Sequence, residues 1–241
     1  MRLRFLNNLC ICLLLTVCTS SCGLLLKRRT FAGSGIQNNA SGLPLIIYQP
    51  SSTVSKKMAI MLSGDGGWLG FNDTLAVAFA KKGYHVIGFN SRTYFWHRKT
   101  PEETAKVFSD LITKYGAEWN IKRIVLSGYS FGADVVPFIY NRLPGELKSK
   151  ISKLQLLSPF LSTDFKVRLS DLIMTGNDNR TYKVKDEVQR ITIPIFCFYG
   201  ASENPKPLAD LSMKNFFIRT VPGDHHYLNS YRQIVHTMRN K

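Results

Sequence analysis

The sequence predicts an α/β fold, a mostly parallel central sheet flanked by helices on both faces. Two observations lead there. Short runs of apolar and β-branched residues alternate along the chain with stretches of helical periodicity, the pattern of parallel strands joined by crossover helices. Glycine-rich turns follow two of those runs directly, at residues 63–68 and 128–132, where an open α/β sheet carries its functional loops. The size agrees. A chain of 241 residues, 44% of them hydrophobic, suffices for one such domain behind an N-terminal leader.

In chain order, residues 1–22 read as a secretory signal. Arg2 and Arg4 form a basic start, residues 9–17 an apolar core, and Cys18-Thr19-Ser20-Ser21-Cys22 a small-residue end. Thr-Ser-Ser-Cys resembles a bacterial lipoprotein cleavage site, which makes Cys22 the candidate lipidation site. An uncleaved anchor running through Leu24-Leu25-Leu26 is the alternative. Lys27-Arg28-Arg29 on its far side argues against it. Four of the five cysteines fall in this leader, and Cys197, inside an apolar run, reads as a small buried hydrophobe. Residues 23–42 are rich in Gly, Asn and Ser and read as a linker. The folded domain is expected over 43–241.

Within that domain, residues 43–48 read as an edge strand and 58–62 as a buried strand entering the first glycine turn. Residues 71–82 read as a helix stopped by Gly83, and 84–89 as the next strand. Thr100-Pro101-Glu102-Glu103 is a capping box with proline at the first helical position, opening a helix that runs to Lys114 or Glu118. The apolar stretch from Arg123 is a strand, and residues 133–139 have a helix-like apolar pattern. A further strand covers 154–157 and ends in Ser158-Pro159. Residues 162–190 read as a small irregular insert in place of a cap, with Leu172-Ile173-Met174 extended. Strands are expected over 191–199 and 216–221, and a terminal helix over 228–238.

The chemistry-bearing residues fall at the ends of predicted strands. Gly128-Tyr129-Ser130-Phe131-Gly132 has the form of a nucleophile elbow, a serine on a tight turn between strand and helix. Gly64-Asp65-Gly66-Gly67 follows an early strand. In an α/β hydrolase such a loop gives one backbone amide to an oxyanion hole and the residue after the nucleophile gives the other, here Asp65 and Phe131. Gly200-Ala201-Ser202-Glu203 supplies a carboxylate after the penultimate strand, with Asp210 in reserve. Pro222-Gly223-Asp224-His225-His226 supplies a base after the last. The order Ser, Glu, His is that of the α/β hydrolases. Between the two adjacent histidines, the resemblance of Pro-Gly-Asp-His to thioesterase-type hydrolases favours His225. A loop longer by one residue picks His226. No histidine–carboxylate cluster has metal-ligand spacing, so neither metal nor cofactor is expected.

Charge points to the setting. With 32 Lys and Arg against 16 Asp and Glu, the formal net charge is +16, which favours anionic partners. The basic residues are scattered and no nucleic-acid-binding motif is present, so an anionic membrane surface is the expected partner.

The stretches Leu62-Ser63-Gly64-Asp65-Gly66-Gly67-Trp68, Gly128-Tyr129-Ser130-Phe131-Gly132-Ala133-Asp134-Val135 and Pro222-Gly223-Asp224-His225-His226 together resemble the VirJ/AcvB family of bacterial virulence proteins, from about Met58 to the C-terminus. The chain looks like the short, VirJ form. The resemblance implies an α/β-hydrolase fold, a place in the bacterial envelope, and a serine esterase acting on aminoacylated phosphatidylglycerol such as the lysyl ester; with the Cys22 leader, the expectation is a membrane-anchored lipoprotein of the periplasm or cell envelope. Another ester is the wider possibility. A binding or export-assisting protein of a secretion system, built on the same scaffold, is the competing reading.

Overall fold

The computed structural model describes residues 36–38, 42–51, 55–167, 180–227 and 230–237. The leader, Cys22 and Leu172-Ile173-Met174 lie outside them. Ten strands follow in chain order: β1 (Ile36–Asn38), β2 (Leu45–Tyr48), β3 (Lys57–Leu62), β4 (Tyr84–Phe89), β5 (Arg123–Tyr129), β6 (Ile151–Leu157), β7 (Ser162–Thr163), β8 (Tyr182–Lys183), β9 (Ile195–Gly200) and β10 (Phe216–Val221). Eight form one sheet in the order β1-β2-β4-β3-β5-β6-β9-β10, and β7 and β8 form a separate pair. From β4 to β10 the neighbours in the large sheet are all parallel, while β2 runs antiparallel to both β1 and β4.

The helices are α1 (Gly70–Lys81), α2 (Ser91–Tyr94), α3 (Pro101–Glu118), α4 (Phe131–Arg142), α5 (Gly145–Lys148), α6 (Val184–Gln189) and α7 (Tyr231–Thr237). Six of the seven fall into two packed groups, α1 with α7 and α3 with α4, α5 and α6. The central strands are buried on both faces, as parallel strands under two helical layers must be. Met58, Ile60 and Leu62 of β3 join Phe108, Leu111, Val135 and Ile139 in the main core cluster. The intervening Ala59 and Met61 are equally buried and face the α1 side. Helix α3 starts where its sequence says. The Thr100 side chain accepts the Glu103 amide, the Glu103 carboxylate accepts the Thr100 amide, and Pro101 opens the first turn. Helix α4 is buried from Phe131 to Tyr140, because it lies between β5 and the neighbours α3 and α6.

The structure differs from the sequence expectations in three places. Ile36–Asn38, within the stretch read as linker, forms β1 against β2, so β2 is not the edge. Three residues among Gly, Asn and Ser show no period to read. The insert is not wholly irregular, since it carries β7, β8 and α6. Two-residue strands and a six-residue helix are too short for periodicity. Helix α6 is fixed by long-range contacts: Glu187 accepts from Asn141 Nδ2 at 2.6 Å and Arg142 Nη1 at 3.1 Å. Finally, β6 begins three residues earlier than expected and β9 four residues later.

Candidate active site

The elbow sits at the end of β5, with Ser130 as the N-cap of α4 at φ 52° and ψ −123°. A positive φ on a non-glycine residue costs roughly 1–3 kcal/mol and persists only when the surroundings impose it. Here the Ser130 amide donates to the Leu157 carbonyl at 2.7 Å, and the Ser130 carbonyl accepts the amides of Ala133 and Asp134. The flanking glycines permit the approach. A Cβ on Gly128 would lie 2.3 Å from the Gly132 carbonyl oxygen, and one on Gly132 would lie 2.6 Å from the carbonyls of Leu62 and Ser63. No side chain fits either gap.

A line of three groups runs across the C-terminal sheet edge. Ser130 Oγ is 3.0 Å from His225 Nε2, and His225 Nδ1 is 3.1 Å from Glu203 Oε2. An ionised carboxylate only accepts, so Nδ1 carries the proton and the Nε2 lone pair faces the serine hydroxyl. Glu203 Oε1 accepts the Gly200 amide and the Ser158 hydroxyl. Burial alone would push the Glu203 carboxyl up. The hydrogen bonds from His225, Ser158 and Gly200 outweigh it and hold the group below the ordinary glutamate value.

Behind this line the support is aromatic and hydroxylic. The Ser158 hydroxyl also meets the Tyr227 hydroxyl, which donates to the Phe198 carbonyl at 2.8 Å. Tyr129, the residue before the serine, donates its hydroxyl to the His225 carbonyl at 2.9 Å. Burial first, then the carboxylates of Asp65, Glu203 and Asp224, push that phenol well up, so it remains a donor. The His225 ring lies 5.4 Å from the Tyr129 ring and 5.9 Å from Phe160. Asp134, buried in the first turn of α4, accepts the Phe160 amide at 2.7 Å, which ties the loop after β6 to the elbow. The acid and base loops are joined too: the Ala201 amide donates to Val221 and the Ser202 amide to Gly223.

The early glycine loop closes the other side. A Cβ on Gly64 would sit 3.3 Å from the Ser130 Cβ, so the loop passes against the serine. It is a tight turn, with Gly67 at φ 85° donating to the Gly64 carbonyl at 3.1 Å. Asp65 Oδ1 accepts the Gly66 amide at 2.8 Å, so that carboxylate shapes its own loop. Trp68 anchors the end of the turn, its ring buried and its Nε1 donating to the Tyr48 hydroxyl at 3.0 Å.

The structure therefore brings together Ser130, His225 and Glu203, with Asp65 and Phe131 on the segments beside the serine. It does not bring the two alternates. His226 has a side chain 70% exposed and turned toward Asp224 at 3.5 Å, and Asp210, 67% exposed, pairs with Lys185 at 2.9 Å. Adjacent loop residues point in different directions, and the Tyr129 bond to the His225 carbonyl fixes which one turns inward. Sequence reasoning missed Tyr129, Ser158 and Tyr227. Their only signals were an aromatic inside the elbow, a serine at a strand end and an aromatic two residues past His225.

Sheet, elbow and site together define an α/β-hydrolase fold. Solved structures with the same fold include Est1E from Butyrivibrio proteoclasticus, at 15% identity and TM-score 0.61 over 86% of this chain and 96% of that one. MenH from S. aureus is similar at 13% identity and TM-score 0.61, over 80% and 96%. The thioesterase domain from the curacin biosynthetic pathway is similar at 14% identity and TM-score 0.57, over 85% and 98%. Within this class the family is specific. The model of the bacterial virulence protein VirJ matches residues 56–241, and the chain belongs to that family. No curated protein matches it in sequence.

Proposed function

We propose that the protein is a serine esterase of the bacterial envelope, and that its substrate is an aminoacylated phosphatidylglycerol. The observation that carries the chemistry is the continuous line from Ser130 Oγ through His225 to Glu203, with contacts of 3.0 and 3.1 Å. His225 Nε2 takes the hydroxyl proton as Ser130 Oγ attacks the ester carbonyl. Glu203 stabilises the imidazolium that forms. The backbone amides of Asp65 and Phe131 receive the oxyanion, the second at the positive end of α4. His225 then protonates the leaving alcohol, and water attacks the acyl-serine by the reverse route.

Three things support the lipid ester. The family resemblance implies it, the net charge of +16 favours an anionic surface, and the leader carries a lipoprotein-like Cys22. In this reading Cys22 and the residues between it and β1 tether the domain to the membrane that holds its substrate.

The test compares wild type with Ser130→Ala on membranes bearing lysyl-phosphatidylglycerol, scored by free lysine. Release is expected to fall by about 10⁴-fold or more in the variant. Equal release by the two proteins would sink the esterase.

A further inference from the structure

Trp96 is the one large hydrophobic side chain exposed among the described residues, at 47%. It stands in the sequence Arg92-Thr93-Tyr94-Phe95-Trp96-His97-Arg98-Lys99, which contains four cationic or imidazole side chains and no acid. Lys166 joins them from the insert. Its two neighbours clamp the segment, Phe165 accepting the Lys99 amide at 3.0 Å and Val167 donating to the Phe95 carbonyl at 2.9 Å. The nearest acids along the chain are engaged elsewhere: Glu102 pairs with Arg142 at 2.9 Å, Glu103 caps α3, and Asp164 accepts from Thr181.

The segment is anchored through Phe95, while Trp96, His97 and Arg98 are exposed. Phe95 is fully buried and packs edge-on against Phe131 at 5.1 Å and Phe165 at 6.0 Å. Gly67 of the glycine loop packs against the Asn90 and Arg92 side chains. Phe95, the neighbour of Trp96 in sequence, thus touches the residue after Ser130, and Arg92 lies against the loop that passes Ser130. A half-exposed tryptophan flanked in sequence by cations, next to the Phe95 that packs on the residue after Ser130, has the chemistry of a side chain seated at the interface of a bilayer. Its indole suits the headgroup level, and each nearby Lys or Arg adds about fivefold to binding on an anionic leaflet.

We propose that the Arg92–Lys99 segment, with Lys166, is an anionic-bilayer docking surface that seats the protein with its Ser130 side toward the headgroups. Charge complementarity selects the occupant. An anionic leaflet matches the cations, whereas an apolar protein groove would leave them unpaired. For its consequence in catalysis the proposal rests on the esterase reading, but the docking itself does not.

The chain contains three tryptophans, which makes the test direct. Trp68 is buried, and Trp119 stacks on His85 at 4.6 Å, so Trp96 is the one poised to report membrane contact. The full chain is reconstituted in vesicles of about one-third phosphatidylglycerol in phosphatidylcholine, with brominated acyl chains as quencher. Wild-type emission is expected to be quenched, more than in pure phosphatidylcholine, and Trp96→Phe to lose most of that quenching. Trp96→Ala is expected to lower hydrolysis of a vesicle-borne aminoacyl ester about tenfold and to leave a water-soluble chromogenic ester unchanged. Absent quenching, equal quenching in wild type and Trp96→Phe, or equal quenching in both lipid compositions overturns the proposal. So does an equal loss on both esters. If wild type hydrolyses neither ester while quenching persists, the esterase reading falls and the docking surface stands.

Discussion

The interior of the site and its rim are built on opposite principles. Around Glu203 every oxygen is engaged, Oε1 with Gly200 and Ser158 and Oε2 with His225, and the carboxylate is 9% exposed. Around Trp96, itself 47% exposed, His97 and Arg98 are exposed while Arg92 and Lys99 are half-buried. The first arrangement holds the histidine ring between the carboxylate and the serine hydroxyl. The second leaves surface energy unspent for something outside the molecule. In this reading the interior decides which bond breaks and the rim decides where the molecule works. The same short stretch serves both, since Phe95 packs on Phe131 while Trp96 is exposed.

The sharpest way to break that contrast is the histidine pair, one inside and one outside. On a water-soluble chromogenic ester, His225→Ala is expected to lose about 10⁴-fold or more in kcat, and His226→Ala to stay within about twofold. The reverse result would mean that the loop rearranges in solution and that the interior is not fixed.

Glu203→Gln comes next. It keeps the shape but removes the charge that stabilises the imidazolium, and a loss of about 10²–10⁴ in kcat is expected. It also has a signature in stability. The folded-state carboxyl is held below 4.5, so the stabilisation it brings is complete above that value and is lost as pH falls through the depressed one. The difference in Tm between wild type and Glu203→Gln should be constant from about pH 5 upward and close in more acid buffer. A gap that persists in acid would assign the effect to packing rather than to charge.

The smallest expected effect is at Tyr129, a positioning residue. Tyr129→Phe removes the hydrogen bond to the His225 carbonyl, worth about 1 kcal/mol, and should lower kcat by about fivefold with little change in KM. A raised KM at constant kcat would place the phenol against substrate instead.

How much was legible follows from where each feature's cause lies. Strands β4 and β10 match their sequence ranges and α3 starts at its capping box, because burial pattern and capping chemistry are written into contiguous residues. The elbow was readable for the same reason. Gly128 and Gly132 answer to backbone contacts 2.3–2.6 Å away, and only glycine tolerates such approach. β1 and the insert's β7, β8 and α6 were not readable as elements, since their partners lie elsewhere in the chain and their own lengths carry no period. Cys197 was read as a small buried hydrophobe, and it is fully buried in β9, where burial pushes the thiol well up.

By itself the sequence determined the alternating architecture, the serine on its turn and the chain order of serine, acid and histidine, all of which depend on local spacing. The tertiary structure decided what spacing could not. It turned His225 inward rather than His226, matched it to Glu203 rather than Asp210, and set Ser158, Tyr227 and Tyr129 behind them. The physical reason is distance along the chain. Ser130 and His225 are 95 positions apart, Ser158 and Glu203 are 45 apart, and only the parallel sheet, delivering each strand end to one edge, makes them neighbours.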